Sequence, residues 1–226
     1  MAVEFLKKQF RFFIGLLCGL IFTFLGVYSV QISAMKQTTI NERFYFLVSS
    51  SNLSVEAAVL VAYVNGGAGY LLKDDNKEFA VYHCYFRLAH ATRAQEELSQ
   101  RGIDCCVYER SVDKMCYKTK RQKKNAAQVE GYLNVLKGGY LTLFYLAKGA
   151  ENGDFSQESL RECIGVVCTA LEGVKGNEFS LKSPRIKAAF AVLEQQKHGL
   201  IYSKDLRYVA VALCDEYLKV STHFSL

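Results

Sequence analysis

The sequence predicts an α+β protein in three parts: an N-terminal transmembrane helix, a four-stranded antiparallel sheet with two helices on one face, and a C-terminal helical bundle. Three observations carry that expectation. Residues 12–35 hold no charged side chain. Residues 42–110 alternate short aromatic and β-branched runs with two helix-forming stretches. Beyond residue 125 apolar side chains recur at intervals of three and four. The chain has 226 residues, half of them hydrophobic, which is enough to build one or two small cores after the first run is set aside.

Residues 1–11 read as a short stub carrying Lys7, Lys8 and Arg11 against Glu4. The run at 12–35 would reach roughly 36 Å as a helix, more than a hydrocarbon core about 30 Å thick. A cleaved signal peptide is the rival reading. The run is long for that, and Ile32 is a poor small residue two places before Ala34. The basic cluster before the run places the N-terminus in the cytoplasm by the positive-inside bias, with the rest of the chain outside the cell membrane.

After a polar linker at 37–41, residues 44–48 read as the first strand. Ser54 is placed to cap a helix over 55–65, with Val55, Ala58, Val59 and Ala62 on one face, and the glycines at 66–69 stop it. Strands follow at 70–72 and 78–86. A second helix over 91–101 turns Ala94 and Leu98 inward and ends at Gly102, and the last strand lies at 103–108. The order β-α-β-β-α-β gives a four-stranded antiparallel sheet with both helices on one face.

That order, with FYFLVSSS near the start, GGAGYLL after the first helix, FAVYHCYF on the third strand, and Leu98 with Gly102 before the last, resembles the SPOR domain. The resemblance covers about 42–110. It implies peptidoglycan binding, through glycan strands stripped of their stem peptides, at sites of division or sporulation, by a bacterial envelope protein with a single anchor. In that family glycan is held on the open sheet face, often by Gln and Arg side chains of the first and third strands. Strict alternation sends Phe46, Val48, Val81 and His83 toward the helices and leaves Tyr45, Leu47, Ser49, Ala80, Tyr82 and Cys84 on the open face. Tyr45, Leu47, Ser49, Tyr82 and Cys84 are therefore the candidate glycan-binding residues, with Leu47 and Tyr82 standing where Gln and Arg are expected. A tyrosine ring can stack on a sugar and bond it through the hydroxyl.

Residues 111–124 form a basic linker, five of whose positive charges fall in 118–124. The segment 125–226 then reads as helices at about 126–148, stopped by Gly149; from a cap at Ser156 with Phe155 and Leu160 as a staple; from Ser183-Pro184 to about Gly199; and from Ser203 onward. Short connections make this a four-helix bundle.

The sequence supplies no nucleophile with its base, no convergent carboxylate pair and no metal-ligand spacing, so no catalytic residue, cofactor or metal is expected. His83, His90, His198 and His223 are scattered, and the eight cysteines contain no CxxC. The glycines at 66–69 follow a helix and lack GK[ST], so they read as a turn and not a phosphate cradle. Net charge is +6, compatible with anionic surfaces. Single-stranded RNA recognition shares the topology, but Glu78 stands where its motif needs glycine, and no nucleic-acid partner is expected. The expected function is non-catalytic glycan binding, with the bundle bracing another envelope protein. The alternative is a scaffold that binds proteins, its sheet covered by the bundle or a partner. Exposure of Leu47 and Tyr82 separates the two.

Overall fold

Ten elements follow one another in the computed structural model, which describes residues 42–74, 76–112, 120–173 and 184–223. They are β1 (Glu42–Ser49), α1 (Val55–Val64), β2 (Tyr70–Asp74), β3 (Lys77–Tyr85), α2 (Leu88–Gln100), β4 (Cys105–Val112), α3 (Lys120–Asn152), α4 (Gln157–Gly173), α5 (Pro184–His198) and α6 (Ser203–His223). The strands lie in the order β2-β3-β1-β4, every neighbouring pair antiparallel.

Local chemistry sets the ends of these elements. The Ser54 hydroxyl accepts the Ala57 N–H at 3.3 Å and starts α1, and the Ser156 hydroxyl accepts the Ser159 N–H at 3.2 Å before α4. Gly102 adopts a φ of +74° and lets the chain leave α2 for β4. Gly149 does not stop α3, which runs on to Asn152; the ring of Phe155 packs where a side chain at 149 would stand. The stop is Gly153, at a φ of +73°, after which Asp154 N–H returns to Gly149 C=O at 2.8 Å.

The sheet is the middle of three layers. Helices α1 and α2 cover one face, closing over Leu47, Tyr82 and Cys105 with Ala62, Ala94 and Leu98. The bundle covers the other. Phe44, Phe46, Val48, Tyr70, Leu72 and Val81 join one continuous core with side chains of α3 to α6. Helix α6 lies against this face and is buried on every side from Val209 to Leu218. Phe44 packs on Tyr217 with ring centroids 5.4 Å apart, and the Tyr140 hydroxyl donates to Cys84 C=O at 2.5 Å. The boundary expected near residue 110 thus separates two stretches of sequence, but a single core runs across it.

Two features of the expected fold class are corrected. No helix among the described residues is long and apolar enough to cross a membrane; the run at 12–35, with the stub before it and half of the linker, 113–119, lies outside the described residues. The second correction is the open sheet face. With the bundle seated on the sheet, neither face is open, because both carry apolar side chains and each must be kept from water.

The faces are also assigned the other way round. Leu47 and Tyr82 point to the two-helix layer, while Phe46, Val48 and Val81 point to the bundle. The change within β3 has a local cause. Leu47 pairs with His83 and Val48 with Val81, so Tyr82 is an extra residue, a β-bulge. Alternation restarts after it, and Cys84, expected on the same face as Tyr82, turns to the bundle core beside Phe46.

Candidate functional site

The bulge and the turn before β2 are built for each other. Tyr82 C=O, left over by the extra residue, accepts the Ala68 N–H at 2.7 Å. That approach needs a bare backbone at Gly67, where a Cβ would stand 2.7 Å from the Tyr82 ring and 2.8 Å from Ala62 C=O. Two further donors of the turn are engaged: Gly66 N–H bonds Tyr63 C=O at 3.2 Å and Gly67 N–H bonds Ala62 C=O at 2.8 Å. A phosphate cradle needs such donors free.

A cleft of about 110 Å³ opens beside this turn, where the end of α1, the bulge, α2, the end of α3 and the start of α6 meet. His83 forms part of its wall. Its Nδ1 accepts the Cys84 N–H at 2.9 Å, which leaves the ring proton on Nε2, and its ring lies 5.0 Å from that of Phe144. Burial, with the Arg207 guanidinium nearby, pushes the His83 pKa down to about 3, so the imidazole is neutral. Three of the four charged side chains lining the cleft, Arg207, Glu151 and Glu97, are paired, and the fourth, Arg101, is exposed. Arg207 donates to Gly66 C=O and to Glu151, and Glu97 receives Arg93 at 3.0 Å. Among the described residues no group of three or more His, Cys, Asp or Glu side chains is placed to hold a metal ion.

The five candidate residues do not form a surface. Leu47 is 1% exposed and Tyr82 3%, both under α1 and α2. Tyr45 is buried, Ser49 is half-buried with its hydroxyl 2.9 Å from that of Ser51, and Cys84 is sealed beneath the bundle. Leu47 and Tyr82 share the cleft lining with His83, but from its buried side.

The accessible apolar surface lies elsewhere, on α1. One side of this helix presses Ala58 and Ala62 on the sheet. On the opposite side Leu53, just ahead of the helix, is followed by Ala57, Leu60 and Val64, with Val61 alongside. Leu60 is 63% exposed and Val64 72%. Glu56 is the one charged residue of α1. Two turns further on and on the same flank stands Tyr63, whose hydroxyl donates to Asp205 Oδ1 at 2.8 Å and whose ring carries the Lys204 Nζ 4.0 Å from its centroid. Burial, strengthened by that carboxylate, pushes the Tyr63 pKa up to about 12.

Reading α1 for its inward face missed this stripe. The signal was present: ten residues with a single charge cannot be polar on any side, so one apolar face had to be left over. Arg207 and Glu151 were not legible, because they reach the cleft from helices far along the chain. No family model matches the chain, and neither a curated protein nor a solved structure matches it.

Proposed function

We propose that the chain is a non-catalytic interaction protein that works as a sealed scaffold, engaging a protein partner through the outer stripe of α1. The observation that carries this reading is the covering of the sheet on both faces while Leu60 and Val64 stay in water. A glycan strand would have to displace α1 and α2 to reach Leu47 and Tyr82, or the bundle to reach Cys84. The ion pairs made by Glu151 and Glu97 at the cleft and the neutral, enclosed His83 likewise support binding over catalysis.

The test uses the full-length chain. It is mixed with peptidoglycan sacculi before and after an amidase strips the stem peptides, and in parallel carries a photo-crosslinking residue at position 60 or, as control, at the exposed Glu109. A protein adduct specific to position 60 without retention on stripped glycan is the expected result. Retention that rises on stripped glycan, with no adduct at 60, would overturn the reading.

A further inference from the structure

We infer that the partner of α1 is a second copy of this chain, joined about a twofold axis that passes near Leu60 with the two α1 helices antiparallel; this deepens the scaffold reading and rests on it. The stripe of Leu53, Ala57, Leu60 and Val64 recurs at intervals of four, three and four, the spacing of a helix seam. Ala57, at its middle, is small enough to let a second helix come close, and Leu60 beside it supplies the knob.

Charge decides the orientation. Glu56 stands exposed at the start of α1, and Lys204, drawn in from α6 by its seat on Tyr63, stands at the other end of the same flank. A twofold axis across the helix brings each flank onto its own copy, reversed. Glu56 then meets the partner's Lys204, and the pair forms twice. A parallel arrangement, with the axis along the helices, would instead put the two Glu56–Lys204 flanks on opposite sides of the seam and bring no opposite charges together. The apolar stripe is thus framed by ends of opposite sign that are complementary only to an antiparallel copy. A ten-residue helix is about 15 Å long, short of what a standard interface buries, so association in the micromolar range is expected.

Sedimentation velocity of the full-length chain over a range of concentrations tests this. Wild type should pass from monomer to dimer, and Leu60→Asp with Val64→Asp should weaken association by at least about tenfold. Both residues face water in the monomer, and unchanged circular dichroism verifies the fold. Glu56→Lys and Lys204→Glu should each weaken association several-fold, and the double variant should restore it, since each seam then holds a reversed pair. A dimer indifferent to the aspartates, or single charge reversals that the double variant does not rescue, would overturn the inference. A chain that stays monomeric while position 60 still crosslinks to a different protein would overturn it too, leaving the scaffold reading intact. A monomeric chain with no adduct at position 60 would remove both.

Discussion

Tyr70 on β2 donates its hydroxyl to Asp215 on α6 at 2.7 Å, joining sheet to bundle across 145 residues of sequence inside the core. The Asp215 carboxylate is 2% exposed, and the Lys219 ammonium lies 3.4 Å from the same oxygen. A buried carboxylate is costly when a donor is taken from it.

Tyr70→Phe should therefore destabilise the protein by about 1–3 kcal/mol, since it removes the donor and keeps the ring. The T-shaped contact of that ring with Tyr208, at 5.5 Å between centroids, is retained. Urea unfolding reads the difference. A change below a few tenths of a kcal/mol would mean that the bond contributes nothing net.

Gly67→Ala and Gly102→Ala separate crowding from backbone strain. A Cβ at 67 would press on the Tyr82 ring and on two backbone atoms, so the turn or the bulge must move, at about 1–3 kcal/mol. At 102 nothing lies within 4 Å, and only the left-handed φ resists, at about 1–2 kcal/mol. Position 67 should also disturb the amide resonances of Ala68 and Tyr82, whereas position 102 should leave them in place.

His83 makes stability depend on pH in one direction. Its folded pKa of about 3 lies below the ordinary 6.5, so between those values the unfolded chain binds the extra proton. Stability is full above about pH 6.5 and falls as pH drops toward 3. His83→Asn keeps an acceptor for the Cys84 N–H and should flatten this part of the profile. An equal slope in the variant would assign the effect to other groups.

Thiol labelling of the native protein should follow burial. Cys106 is exposed, whereas Cys84, Cys105, Cys168 and Cys214 are buried. Burial also raises the thiol pKa, to about 11 at Cys105 and well above its ordinary value at Cys214. Among these five, Cys106 should react in the native state, and the others should follow at the rate of opening. Mass spectrometry of labelled peptides measures both phases.

Most of the element order was legible in the sequence, because turns and caps are local. Ser54, Ser156 and the proline at position 184 mark helix starts, and Gly102 marks an end, through groups within four residues of themselves. The candidate site was not legible. Its five residues were picked by counting alternate positions along strands, and the bulge at Tyr82 breaks the count in β3. Nor does alternation say which face is open when both are apolar: Phe46 and Leu47 are equally suited to burial, and only the position of α6, 150 and more residues away, decides what covers each. Gly149 misled for a related reason. It resembles a helix stop, but its lack of a side chain serves the Phe155 ring.

The covering of the sheet by α6 has a consequence for the order of synthesis. By the time Val112 completes β4, every strand has been made, yet the helix that shields Phe44, Phe46 and Val81 does not begin until Ser203. At roughly 5–20 residues per second, about ninety further residues take on the order of 5–20 s to emerge from a ribosome. Throughout that interval the nascent chain carries an uncovered aromatic face, which makes it a natural client for a holding chaperone.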